Sequence, residues 1–192
     1  MLLLYLVQFK SDIFMKAIYR FSASAILIFF SVFFCYAANQ YSIRQLSNKN
    51  GLSNSAILSI CQDKDGLLWF GSCDGLNTFD GNILQLYTPI DFRNNISGNL
   101  INSIVEAEKN ILWIKTNYGL DRLNTKTQEI QYFENFKDIN KIARSPENDI
   151  YIIKDNGDLY CLPKGNKQFQ KLLTVKVNIG DICQMIVDNF ET

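Results

Sequence analysis

The stretch Ile57-Leu-Ser-Ile-Cys-Gln-Asp-Lys-Asp-Gly-Leu-Leu-Trp-Phe-Gly-Ser-Cys-Asp-Gly-Leu-Asn-Thr-Phe-Asp80 decides the reading, because its pattern returns along the chain. Ile57 and Ile60 come back as Ile101 and Ile104, Trp69 as Trp113, and Gly75-Leu76 as Gly119-Leu120, all at a spacing of 44 residues. A more degenerate copy follows 38 residues later, with Ile139 and Ile142, Tyr151 in the place of Trp113, and Gly157 in the place of Gly119. Ile182 and Met185 open a fourth copy. A period near 40 residues marks a repeat architecture.

The content of the unit selects the kind of repeat. Asp63-Lys64-Asp65-Gly66 suits a tight hairpin turn, since Asp bonds its own backbone and Gly accepts positive φ. Short apolar and aromatic runs, Leu67 to Gly71, Leu76 to Phe79 and Ile83 to Tyr87, are split by Ser72 to Gly75 and by Asp80-Gly81-Asn82. With the Ile57 run, that makes four short strands per unit. Helical repeats of similar period need amphipathic runs of helical period, which frequent Gly, Asn and Asp interrupt here. The fold class is therefore all-β, an incomplete β-propeller of about three four-stranded blades plus the start of a fourth. The recurrent Trp is expected to fill the space between neighbouring sheets. In the second unit Ile101, Ile104, Leu112, Trp113, Ile114, Leu120 and Leu123 are expected to face inward.

The propeller units follow a hydrophobic N-terminal segment. Lys16 to Arg20, Ser22 to Phe34 and Cys35-Tyr36-Ala37 have the order of charge, apolar run and small-residue site found in a secretory signal peptide, with cleavage before Ala38. Met15 opens that signal, which makes Met1 to Phe14 an upstream extension. The alternative is an uncleaved signal anchor, because the apolar run from Phe21 to Ala38 is near the shortest membrane-spanning length. Phe33 and Phe34 before Cys35 speak against lipid anchoring. Both alternatives place the remainder in the periplasm, as an exported domain or one anchored to the inner membrane. The units are read as 38–52 lead-in, 53–96, 97–136 and 137–178 blade units, and 179–192 the truncated start of the next.

Composition removes several classes of function. The chain carries 19 basic and 19 acidic residues, and beyond Ala37 there remain 16 and 18, so no basic face for nucleic acid is indicated. There is no His at all, which removes the commonest metal ligand and general base. Cys61, Cys73, Cys161 and Cys183 do not recur between units and form no C-x-x-C, so buried thiols are favoured over a disulfide framework. Asp63-x-Asp65-Gly66 lacks the further ligands of a calcium loop. No catalytic residue, metal site or cofactor is assigned.

Asn54-x-x-Ile57-x-x-Ile60-x-x-Asp63-x-x-Gly66-x-x-Trp69-x-Gly71 followed by Asp74-Gly75-Leu76-Asn77-x-Phe79 resembles the two-component regulator propeller repeat. The second unit keeps Asn102, Ile104, Trp113, Thr116, Gly119-Leu120 and Leu123-Asn124, with Glu108-Lys109-Asn110 where the Asp-Gly turn stands in the first. The resemblance covers roughly Tyr41 to Leu162. It implies the N-terminal periplasmic sensor part of a hybrid two-component system, with propellers that bind an oligosaccharide breakdown product and control transcription of utilisation genes. The histidine kinase of such systems is not in this sequence. An exported propeller for binding or scaffolding is the alternative, and a propeller-fold glycan enzyme is less favoured. The resemblance specifies the blade and not the pocket, so ligand residues stay unassigned; Tyr87, Arg93, Tyr118 and Arg122 are surface aromatics and cations able to stack on or hydrogen-bond a sugar. Three blades leave open blade faces, for which self-association is expected.

Overall fold

The structure is a computed structural model that describes residues 19, 20, 22, 43–87, 95–176, 178, 180, 182 and 184–188. The signal segment, Arg93, Ile179 and Cys183 lie outside the described residues, except that Tyr19, Arg20 and Ser22 are helical. Within the compact unit Gln45–Thr192 there are three four-stranded antiparallel sheets. The first contains β1 (Ile57–Gln62), β2 (Leu68–Ser72), β3 (Gly75–Phe79) and β4 (Leu84–Tyr87). β5 (Ile101–Glu106), β6 (Ile111–Thr116), β7 (Leu120–Asn124) and β8 (Glu129–Phe133) form the second. The third holds β9 (Ile139–Arg144), β10 (Ile150–Lys154), β11 (Asp158–Leu162) and β12 (Gln170–Thr174). In each sheet the strands pair in chain order, the meander of a propeller blade. A short 3-10 turn, Asn48–Asn50, precedes them.

The same turn opens all three blades, although its sequence changes. In blade 1 the N–H of Asp63 donates to Leu67 and that of Gly66 to Asp63. In blade 3 the N–H of Ser145 donates to Asp149 and that of Asn148 to Ser145 in the same way, and in blade 2 the N–H of Ala107 donates to Ile111 while that of Ile111 donates to Glu108. The residue that must adopt positive φ is Gly66 at 88°, Asn110 at 67° and Asn148 at 74°. Asn is the side chain that best tolerates this region after Gly, so Glu108-Lys109-Asn110 keeps the turn without the Asp-Gly pair. Each inner strand also carries an irregularity at one equivalent place, between Ile57 and Ser59, Ile101 and Ser103, and Ile139 and Lys141. A bulge there adds twist to the strand.

The apolar cores lie between the blades. On β6, period-two alternation sends Leu112 and Ile114 to the blade 1 side, where they pack with Trp69, Leu76, Ile101 and Ile104. Ile111 and Trp113 face blade 3 and pack with Phe136, Ile139, Ile142, Ile150 and Ile152. Trp69 and Trp113 are buried, as are all seven second-unit residues expected to face inward. The aromatic side of the second core is completed by Phe133 and Phe169, whose rings lie 5.2 and 5.7 Å from that of Trp113. Rings at these separations and tilted orientations add to the area they bury.

Ile60 departs from its repeat partners. Ile104 and Ile142 are buried against the preceding blade, whereas Ile60 is 64% exposed, because among the described residues no blade precedes the first. Leu58 beside it is exposed as well.

The blade junctions also differ in how closely backbones approach. A Cβ on Gly71 would lie 2.7 Å from the carbonyl oxygen of Ile101, so β2 and the inner strand of blade 2 meet there only because Gly has no side chain. At the equivalent place blade 2 has Lys115, which is half-buried in a cleft with Asn140 and Lys141. Burial and the nearby charge of Lys141 lower its affinity for a proton, against the pull of Asp155.

Candidate functional site

Two clefts recur at equivalent positions, one at each blade junction. The first is a cavity of about 480 Å3 between the outer half of blade 1 and the turns of blade 2. Its wall on blade 1 is the cross-strand row Trp69, Thr78 and Gln85 with Tyr87, and its rim is Asp63, Asp65, Lys109, Asn110 and residues 125, 126 and 128. The second, of about 490 Å3, lies between blades 2 and 3. There the row is Trp113, Arg122 and Gln131 with Phe133, and the rim is Ala107, Glu108, Asn148 and Pro163 to Lys167. The frame is the same, and the side chains that vary sit on it.

Directly opposed residues on neighbouring antiparallel strands hold their Cβ atoms about 5 Å apart, so each row is a fixed platform. Its Trp is floor and not exposed stacking surface, since Trp69 and Trp113 are 2% and 3% exposed. Tyr87 and Phe133 are half-buried and offer ring surface at the edge of the cleft.

Asp63 ties the first cleft together. One carboxylate oxygen accepts from the N–H groups of Asp65 and Leu67, at 3.0 and 2.9 Å, and the other accepts from the indole N–H of Trp69 at 2.8 Å. Both ends of the Asp-x-x-Gly-x-x-Trp spacing are thereby explained. Asp65 pairs with Lys109 across the blade junction at 2.5 Å. In the second cleft Ala107 stands where Asp63 stands in the first, and among the described residues the indole N–H of Trp113 has no acceptor.

Of the sequence candidates, Tyr87 lies in the first cleft and Arg122 in the second, so the fold does not bring them together. Tyr118 lines neither; it is 61% exposed, and its carbonyl accepts from the Tyr132 hydroxyl at 2.8 Å. Gln131, Phe133, Lys164 and Lys167 were not legible as cleft residues from the repeat spacing alone.

A second recurrent polar group is buried beneath the opposite ends of the strands. The hydroxyl of Ser53 donates to Asn77 Oδ1 at 2.6 Å, lies 2.8 Å from the Ser72 hydroxyl, and its backbone N–H donates to the same Asn oxygen. In blade 2, Ser97 makes the same contacts with Thr116 and with Asp121 Oδ2, at 2.7 and 2.9 Å to the carboxylate. These groups tie the segments entering blades 1 and 2 to the third strand of each. Asp121 is fully buried and its Oδ1 is without a partner, as is Asn77 Nδ2. Burial pushes the Asp121 carboxyl from 3.8 up to about 6, against the lowering effect of the two Ser97 bonds.

Cys61, Cys73 and Cys161 are free thiols. Burial raises the proton affinity of Cys61 and Cys161, which makes both poor nucleophiles. Among the described residues no three Cys, Asp or Glu side chains gather to hold a metal ion, and no helix is long and apolar enough to cross a membrane.

Three meander sheets packed face to face around their first strands, with clefts at the junctions, define this chain as β-propeller blades. The family described as two component regulator propeller matches residues 51–74, the end of the lead-in and the first hairpin of blade 1. The extracellular domain of a hybrid two component system from B. thetaiotaomicron superposes with a TM-score of 0.58 at 29% identity, over 68% of this chain and 20% of that one. A histidine kinase of Formosa agariphila is 53% identical over 38 residues, which are 20% of this chain and 3% of that protein. Virginiamycin B lyase from Staphylococcus aureus, at 12% identity and a TM-score of 0.50, shares the fold alone. The chain thus spans about a fifth of the extracellular-domain structure it resembles and a small fraction of the kinase.

Proposed function

We propose that this chain is part of the periplasmic, ligand-sensing propeller of a hybrid two-component regulator, and that the ligand is a glycan breakdown product held at a blade junction. The observation that carries the reading is the recurrent cleft. One frame, set by a turn with positive φ at its fourth residue and a buried Trp behind it, presents different side chains at each junction, the arrangement expected of a scaffold that varies its recognition surface. Half-buried aromatic edges beside amides and charged groups suit sugars, which present apolar ring faces and hydroxyls together. The match of residues 51–74 to the regulator propeller supports the regulatory role, and extracellular relatives support export. The unit boundaries 53–96, 97–136, 137–178 and 179–192 belong to the same reading.

Binding rather than turnover fits the cleft chemistry, since neither cleft gathers a nucleophile with a base. Calorimetric titration of the chain with a panel of neutral and acidic oligosaccharides tests the reading. At least one member is expected to bind, and binding is expected to raise the melting temperature in a concentration-dependent way. Failure of the whole panel at millimolar concentration removes the glycan reading.

Self-association is proposed through the open face of blade 1. Ile60→Glu is expected to shift the sedimentation profile toward monomer, and a wild-type chain that is monomeric at all concentrations rules the contact out.

A further inference from the structure

The two clefts are alike in frame and differ in charge balance: the first is even and the second carries an excess of cations. Around the first, Asp63 and Asp65 stand against Lys109 and Lys126, and both carboxylates are engaged, Asp63 by its own turn and Trp69, Asp65 by Lys109. Around the second, Arg122, Lys164 and Lys167 stand against Glu108 alone. Neither Glu108 nor the three cations take part in an ion pair among the described residues. Asp149 accepts the backbone N–H of Lys164 at 2.7 Å and adds a second carboxylate behind the rim, which leaves three cations against two carboxylates.

The exchange of Asp63 for Ala107 does more than change the charge. It removes the carboxylate that receives the Trp69 N–H in blade 1, and leaves the Trp113 N–H at the cleft floor without one. The residue beside Trp113 in the cross-strand row changes from Thr78 to Arg122. The built-in anion of the first cleft is therefore missing from the second, while a guanidinium has been added next to the donor it served. A half-buried guanidinium beside a low-dielectric aromatic floor is matched best by an oxyanion from outside.

We propose that the cleft between blades 2 and 3 holds an oxyanion of its ligand, a carboxylate or sulfate ester on a saccharide, with Arg122 and the Trp113 N–H as the inner donors and Lys164 and Lys167 at the rim. This rests on the sensor reading above and names the class of ligand within it: an acidic saccharide.

The test is calorimetric titration of the whole chain with inorganic sulfate, with digalacturonate, and with the dimethyl ester of digalacturonate, which keeps the sugar and removes the charge. Digalacturonate is expected to bind at least tenfold more tightly than its ester, and Arg122→Gln is expected to weaken it at least tenfold. Lys137→Gln, an exposed charge away from the cleft, is expected to leave it unchanged. Ala107→Asp, which restores the internal carboxylate, is expected to abolish binding of sulfate and digalacturonate alike. Sulfate binding without digalacturonate binding assigns the site to sulfate esters, and the reverse assigns it to carboxylates; each supports an oxyanion site. Equal binding of acid and ester, or binding unaffected by Arg122→Gln, overturns the proposal while leaving the glycan reading in place. No binding of sulfate or digalacturonate at millimolar concentration overturns it too, and the neutral panel then decides the sensor reading separately.

Discussion

Asp121→Asn is expected to make the protein more stable at neutral pH, although it removes a buried charge that accepts two hydrogen bonds. The Asp121 carboxyl is raised from 3.8 to about 6 in the folded state, with burial as the main cause. A group whose folded pKa lies above its unfolded value holds its proton more tightly when folded. Its contribution to stability is therefore complete below about pH 4, falls as pH rises toward 6, and is lost above that. At about 1.4 kcal/mol per pKa unit, the ionised carboxylate costs the fold about 2 to 3 kcal/mol at pH 7.5. Asn needs no proton, and blade 1 already shows that it fits, since Asn77 Oδ1 takes both Ser53 donors in the same geometry. Urea unfolding of wild type and variant at pH 4.5 and pH 7.5 measures the difference. The variant should gain about 2 kcal/mol more at pH 7.5 than at pH 4.5. An equal change at both pH values, or a loss at pH 7.5, refutes the reasoning, because it means that the carboxylate is not destabilised by burial. Tyr132, whose hydroxyl is held neutral by burial and by the Asp121 charge, titrates well above this window.

Three further outcomes follow from the blade frame. Gly71→Ala puts a methyl against the backbone of Ile101 and should lower stability by about 1 to 3 kcal/mol in denaturant unfolding, whereas Gly66→Asn, which copies blades 2 and 3, should cost much less. Asp63→Ala leaves the Trp69 N–H and two backbone donors of the turn without their acceptor, for a loss of about 1 to 3 kcal/mol, seen also as a change in Trp emission. Asn110→Ala places a side chain that disfavours positive φ at 67° and should cost about 1 kcal/mol, and Asn110→Gly should restore most of it in the same unfolding assay.

The parts of this molecule that repeat were legible in the sequence, and the parts that differ between repeats were not. Ile, Trp and Gly-Leu at a 44-residue spacing place the strands and the inter-blade cores, because those positions pack against a neighbouring sheet and tolerate few alternatives. The turn in blade 2 escaped the motif for a simple reason: the backbone requires positive φ at its fourth residue, and Asn110 meets that need as Gly66 does. Gln131 and Phe133 escaped for a different one. They pair with Arg122 and Leu120 as Gln85 and Tyr87 pair with Thr78 and Leu76, but the arms of β7 and β8 run one residue pair further, to Asn124 with Glu129, than those of β3 and β4, which end at Phe79 with Leu84. The repeat spacing becomes 46 residues beyond that turn, and a search at 44 aligns the wrong partners. Asp63 was read as a turn residue, and it is one, but its second oxygen binds Trp69, which only the folded hairpin reveals. The same residue separates the two junctions. Where Asp63 is retained, the Trp donor is consumed within the blade; where Ala107 replaces it, Trp113, Arg122 and the lysines of the third blade's last turn face a shared space. Under the oxyanion proposal, recognition is set less by residues added to a blade than by which internal partner a blade has given up.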